Sequence, residues 1–155
     1  MILMERPIAT TRKVRWNGTD YTITLPNAET GGAIGMFEAR VPSGDGPPVH
    51  VHRNEDEVIH VIEGEYEFWL DGQTFEAGAG ASVFLPRGVP HSFRVVGREA
   101  GRTVAVCTPG GFEGFFLEAG EAGLAIPRDL AQLGAMAARY GVVFTGPAPW
   151  GSAAA

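Results

Sequence analysis

The stretch GDGPPVHVHRNEDEVIHVIEG, residues 44–64, sets two imidazoles one residue apart and follows them with the acids Glu55, Asp56 and Glu57. The chain has four histidines. His50, His52 and His60 fall in this stretch, and His91 lies in a second Gly/Pro-punctuated one, GASVFLPRGVPHSF. On a strand, residues two apart share a face, so His50 and His52 project into one space. Each ring brings a donor and an acceptor that an interior must satisfy. A divalent cation satisfies one nitrogen on each, and imidazole is the commonest metal ligand. Glu57 adds an anionic oxygen, giving a two-His-one-carboxylate set with positions open for substrate or dioxygen. The plainer alternative is a pair of solvent-facing histidines beside an acidic turn, and His-x-His with nearby acids does not by itself decide between them.

Strands must position these side chains. KVRW and DYTITL flank Asn17-Gly18 and pair as a hairpin. AIGMFEARV (33–41), VHVH (49–52), EVIHVIEG (57–64) and EYEFWLDG (65–72) follow, and Asp71-Gly72 turns the chain into QTFEAGAG. ASVFLP (81–86), HSFRVV (91–96) and RTVAVCTP (102–109) complete a series of short, evenly spaced strands, the pattern of a β-sandwich or barrel. After Pro109 comes a Gly-rich aromatic segment, GGFEGFFLEAGEAG. Helical spacing then predicts a helix over about 127–140, with Pro127 at its start and Gly141 at its end. The rest is read as trailing off, with a disordered tail over about 150–155. The whole of 1–155 is read as one domain, a β-barrel with a C-terminal helix outside it.

Composition narrows the function classes. The chain has 155 residues, 45% hydrophobic and 19% charged, enough for a core without metal or disulfide staples. A net charge of −6 with no Lys/Arg cluster argues against a nucleic-acid surface. The single cysteine, Cys107, excludes an internal disulfide and is expected to be a small buried residue. The opening MILMERPIATTRKVRW has too short an apolar run for a signal peptide, and no stretch approaches the length of a membrane span. The expected location is the cytoplasm, with no membrane partner.

The two histidine stretches carry a resemblance. Gly44, His50, His52, Glu57 and Gly64 read G-x5-H-x-H-x4-E-x6-G, and after fifteen intervening residues Gly80, Pro86, Gly88 and His91 read G-x5-P-x-G-x2-H. This ordered pair of motifs, over residues 44–95, resembles the cupin superfamily. The one departure is Val95, where the family carries Asn. The resemblance implies an all-β fold, a single jelly-roll-like cupin barrel, with one divalent metal held by His50, His52, Glu57 and His91. Fe, Mn, Co, Ni and Zn all suit such ligands. Spacing to Gly64 prefers Glu57 as the carboxylate, with Asp56 the rival one residue away. Glu55 and Asp56 read most simply as solvated loop acids, and strand parity sends Ile59 and Val61 inward and His60 outward. Phe37, Tyr66, Phe68, Phe84 and Phe93 are candidates for a barrel face. With Val95 they would form an apolar slot for a flat organic substrate.

GASVFLPRGVPHSFRVVG, TPGGFEGFF and AARYGVVFTGP look like the bacterial single-domain proteins grouped with quercetin 2,3-dioxygenases. That resemblance implies a metal-dependent dioxygenase acting on a flavonol or related enol or catechol, with Glu57 both ligand and base. Two other readings stay open: an isomerase or decarboxylase using the metal as a Lewis acid, or a cupin that binds a small molecule without catalysis. Expected partners are a small-molecule substrate, dioxygen in the oxygenase reading, and a second copy of the chain in a homodimer.

Overall fold

The computed structural model describes residues 9–150, so the chain start and the tail beyond Trp150 lie outside the described residues. Eleven strands and two helices run in the order β1 (Arg12–Trp16), β2 (Thr19–Leu25), β3 (Gly35–Val41), β4 (Val49–His52), β5 (Asp56–Glu63), β6 (Glu65–Leu70), β7 (Gln73–Gly78), β8 (Ser82–Leu85), β9 (His91–Val95), β10 (Gly101–Thr108), α1 (Glu113–Glu121), α2 (Leu130–Arg139) and β11 (Val142–Gly146). A 3-10 turn covers Asn27–Glu29. The strands form a six-stranded sheet, β1-β2-β3-β10-β5-β8, and a five-stranded sheet, β11-β4-β9-β6-β7. The expected barrel is therefore a two-sheet jelly roll whose sheets do not close onto each other by hydrogen bonds.

Two tight turns set the hairpin registers. Asn17 and Gly18, and Asp71 and Gly72, both sit at positive φ, the two-residue turn that matches the twist of paired strands. Alternation then sorts the faces. In β5, Glu57, Ile59 and Val61 are buried, and in β10 Gly101, Thr103, Ala105 and Cys107 are. These rows meet the inner face of the five-stranded sheet, where Tyr66, Phe68, His91 and Val95 are buried. The core lies between the sheets.

Three segments depart from the sequence reading. GGFEGFFLEAGEAG contains a helix, α1. Its glycines disfavour helix, but Phe115, Phe116 and Ala119 bury an apolar face and packing outweighs propensity. Gly120 is needed for that packing, since a Cβ there would lie 2.2 Å from the Val14 side chain. The second helix is shorter than 127–140, because Pro127 to Asp129 form turns before Leu130. VVFTG does not trail off. It pairs as β11 with β4, Val142 opposite His52 and Phe144 opposite His50, giving partners to the backbone of a strand that would otherwise be an open edge.

Glu113 ties α1 to the turn between β2 and β3. Its buried carboxylate accepts hydrogen bonds from the backbone N–H of Asn27 (2.6 Å) and of Gly111 (2.8 Å). Replacing Glu113 with Ala would leave two part-buried donors without acceptors, at up to about 1–3 kcal/mol each. Urea unfolding of Glu113→Ala should show a loss of that order, and an unchanged midpoint would show that water substitutes freely for the carboxylate.

Candidate metal centre

The five-stranded sheet brings the three histidines together. His50 and His52 lie on the inner face of β4, and His91 opens β9 directly opposite His50. All three are buried, and each offers a ring nitrogen within 4.8 Å of the others'. The ring centroids are 4.4 Å apart for His50 and His91, 5.1 Å for His50 and His52, and 5.4 Å for His52 and His91. His60 faces away and bonds Ser82 at 2.8 Å on the outer side of β5.

In each imidazole one nitrogen is already held. His50 Nδ1 donates to the Pro48 carbonyl at 2.9 Å, His91 Nδ1 to the Val89 carbonyl at 3.2 Å, and His52 Nδ1 to Glu55 Oε1 at 2.5 Å. Donation from Nδ1 leaves Nε2 with the lone pair. The Nε2 atoms of His52 and His91 are buried with no hydrogen-bond partner among the described residues. Buried polar atoms are seldom left so, and a cation receiving these lone pairs resolves the deficit. A held Nδ1 is also the usual outer support of a metal-ligating histidine. The donor set fits a divalent transition metal.

Electrostatics keep two of the three imidazoles in the neutral, ligand form. Burial, reinforced by His91 and His52, holds His50 well below its ordinary pKa. Burial and then His52 push His91 down to about 4. His52 differs. Burial pulls it down, but the hydrogen bond it donates to Glu55 and the charges of Glu57 and Glu55 raise it overall.

Glu57 comes from the other sheet. It is buried on β5, opposite Cys107 of β10, and its Oε2 lies 3.6 Å from His52 Nε2 and 3.6 Å from Cys107 Sγ. Burial raises its pKa, and His52 only partly offsets this. It stands beside the histidine group rather than within the tight cluster. Asp56 points out instead, pairing with Arg87 at 3.1 Å. Glu55 is the departure among the acids. Read from sequence as a solvated loop residue, it is 2% exposed and turned back under His52. Strand parity turns Glu57 inward, but nothing local in the sequence marks that Glu55 turns inward too. The fold decides it: the bend at Arg53 and Asn54 is anchored by Arg53 N–H donating to the Gly141 carbonyl.

Beside the cluster lies a cavity walled by Phe37, Phe93, Phe112, Phe144, His50 and Glu57, among others. Of the expected slot, Phe37 and Phe93 are therefore at the cavity. Tyr66, Phe68 and Val95 are buried core away from it, and Phe84, 57% exposed, is on the outer surface. Parity along the short β8 explains this, since Val83 and Leu85 take the inward positions. Phe112, Phe115, Phe116 and Phe144 replace them, from the two segments whose structure the sequence reading missed. Phe112 packs its ring edge-on to His52 with centroids 4.4 Å apart.

Comparison with known proteins agrees with this geometry. Residues 37–107 match the family model described as Cupin domain. The chain is 29% identical over 101 residues to quercetin 2,3-dioxygenase of Bacillus subtilis (strain 168), covering 65% of this chain and 30% of that protein. It is 35% identical over 96 residues to polyketide synthase CurC of Streptomyces cyaneus, covering 61% of this chain and 62% of that one. It thus spans less than two thirds of either relative. Among solved structures, the polyketide cyclase RemF from Streptomyces resistomycificus superposes with a TM-score of 0.55 at 26% identity, over 68% of this chain and 80% of that chain. Among the described residues no helix is long and apolar enough to cross a membrane.

The Glu55–His52 bond has a measurable consequence. Losing an outer-shell carboxylate typically costs 10–100-fold in metal affinity. Titration of metal-free Glu55→Ala with zinc should show a loss in that range, with Glu55→Gln between it and the parent. Equal affinities in all three proteins would mean that Glu55 does not support the site.

Proposed function

From a chain with the cupin fold and three converging buried imidazoles, we propose a metal-dependent enzyme, a dioxygenase acting on a small flat substrate of the flavonol, enol or catechol type. His50, His52, His91 and Glu57 hold one divalent transition metal. The carrying observation is the pair of buried Nε2 atoms without partners, each on a ring fixed through Nδ1. The metal supplies positive charge that stabilises a substrate oxyanion and makes dioxygen chemistry available.

The chain's own residues do the rest. The Phe-lined cavity excludes water and holds a planar ring beside the histidines. Glu57 takes the proton of the substrate hydroxyl. Because Oε2 faces His52 and Cys107, the proton goes to Oε1. Glu55 and the Pro48 and Val89 carbonyls keep the three rings from turning.

A second reading keeps the metal but dispenses with oxygen: Lewis-acid catalysis of an isomerisation, decarboxylation or ring closure. The similarity to CurC and to RemF favours it. Aerobic and anaerobic assays of metal-reconstituted protein with quercetin, catechols and 1,3-diketones separate the two. Oxygen uptake matching substrate loss supports the dioxygenase; conversion without uptake supports the Lewis-acid reading. Metal bound but no conversion of any of them would favour a cupin that only binds.

The purified protein should carry close to one transition metal per chain, and His52→Ala should lose it. Elemental analysis showing no metal in either protein after reconstitution would remove the site. Chelation should lower the melting temperature without unfolding the protein, because metal binding adds to a stability that the two-sheet core already provides.

Glu57→Gln separates ligand from base. It should retain a measurable share of metal yet lose most turnover, since base catalysis contributes roughly 10²–10⁴-fold. Full turnover at full metal occupancy would refute the base role.

A further inference from the structure

Next to the Phe-lined cavity lies a second space, walled in part by Asn17, Thr19, Asp45 and Gly46. The two spaces share four side chains, Trp16, Tyr21, Pro47 and Phe93. They differ in size and character. The centre of a water molecule can range over about 60 Å³ in the inner one and about 260 Å³ in the outer one. The inner walls are mostly aromatic, whereas the outer ones add a carboxylate, an amide and a hydroxyl. The inner chamber is too small for more than part of a substrate, and the four shared residues stand between it and the larger space.

Those four are held on both sides. Pro47 and Phe93 belong to a loop and strand pressed together. Ser92 Oγ donates to the Pro47 carbonyl at 2.7 Å, Val95 N–H donates to the Asp45 carbonyl at 3.1 Å, and Gly44 N–H donates to the Val95 carbonyl at 2.9 Å. A Cβ on Gly46 would lie 1.7 Å from the Phe93 carbonyl oxygen, so only glycine permits this approach. Facing them, Trp16 and Tyr21 of the first hairpin pack on α1, Trp16 edge-on to Phe115 at 5.2 Å and Tyr21 stacked on Phe116 at 3.8 Å. Trp16 is only 6% exposed, and its Nε1–H is buried with no partner among the described residues. A buried indole N–H usually finds an acceptor. Here the unsatisfied donor belongs to a residue that borders both chambers.

We propose that Trp16 is a substrate-recognition residue: an elongated, flat aromatic ligand passes from the outer chamber to the inner, and the Trp16 Nε1–H donates a hydrogen bond to one of its oxygens. The hydroxylated end stays in the outer chamber beside Asp45, and the reacting end lies against the histidines. The second clause rests on the proposed function; the Trp16 contact and the path do not require a metal.

The test therefore uses metal-free protein. Quercetin, which has two ring systems, and catechol, which has one, are titrated calorimetrically into the parent, Trp16→Phe and Asp45→Ala. Trp16→Phe keeps an aromatic wall but removes the donor, and should bind quercetin about tenfold more weakly, the scale of one hydrogen bond. Asp45→Ala should weaken quercetin but leave catechol unchanged. In the parent protein, ¹⁵N spectra give a reading independent of whether a variant folds: quercetin should shift the indole N–H of Trp16 and leave those of Trp69 and Trp150 in place. An unshifted Trp16 signal, equal quercetin affinity in Trp16→Phe and parent, equal affinity in Asp45→Ala and parent, or no quercetin binding by the metal-free parent would each overturn the inference. Metal analysis decides the proposed function separately, so either can fail while the other stands.

Discussion

Imidazole lone pairs withdrawn from water must be met by something, and three of them converge between the two sheets of this protein. Holding them there constrains much of the chain. His91 must open β9 opposite His50, so the PRGVP turn has to end at that one register. β4 must stay inside the sheet, with β9 on one side and β11 along its other edge. Each Nδ1 needs an acceptor, and three are supplied: the carbonyls of Pro48 and Val89, and a buried acid that turns back from the bend before β5. If any of these supports were missing, a ring could turn its lone pair toward a neighbour, and the convergence would be lost.

The two sheets divide the chemistry. Neutral, acceptor-type nitrogens come from β4 and β9, and the carboxylate comes from β5, across the core and opposite Cys107. That separation lets burial act on each group in its own direction. It lowers His50 and His91 toward the neutral form and raises Glu57 toward the protonated form. His52 is the link, because it alone faces both acids and is raised by them. A cation between the sheets would reverse the balance at Glu57, whose charged form it favours.

Legibility in the sequence followed the range of the forces involved. Strand parity is local, so Glu57, Ile59 and Val61 inward and His60 outward could be read from β5 alone, and the Asn-Gly and Asp-Gly turns announced their hairpins. The histidine motifs are also local in spacing, and the fold brings His50, His52 and His91 into one group. What could not be read depends on contacts distant in sequence. α1 exists because Phe115, Phe116 and Ala119 find a sheet to cover, and β11 because β4 offers an unpaired edge. Glu55 is buried because Gly141 anchors the bend before it. Phe84 shows the opposite failure: an aromatic residue in a strand suggests a wall, yet alternation across β8 puts it outside.

The same distinction separates what fixes the chemistry from what fixes the substrate. The nitrogens and the carboxylate sit on central strands, where register leaves little freedom. Part of the cavity wall comes instead from the loop before β4 (Pro47) and from α1 and the turn before it (Phe112, Phe115, Phe116), elements joined to the sheets chiefly by side-chain packing and a few hydrogen bonds such as those of Glu113 and Ser92. Changes in those segments alter the shape and polarity offered to a ligand without moving the histidines. Two relatives with different reactions in their names, a dioxygenase and a polyketide synthase, are consistent with that arrangement. Under the proposed function, substrate choice is therefore to be sought in the aromatic residues around Trp16 and Phe112 rather than in the ligand set itself.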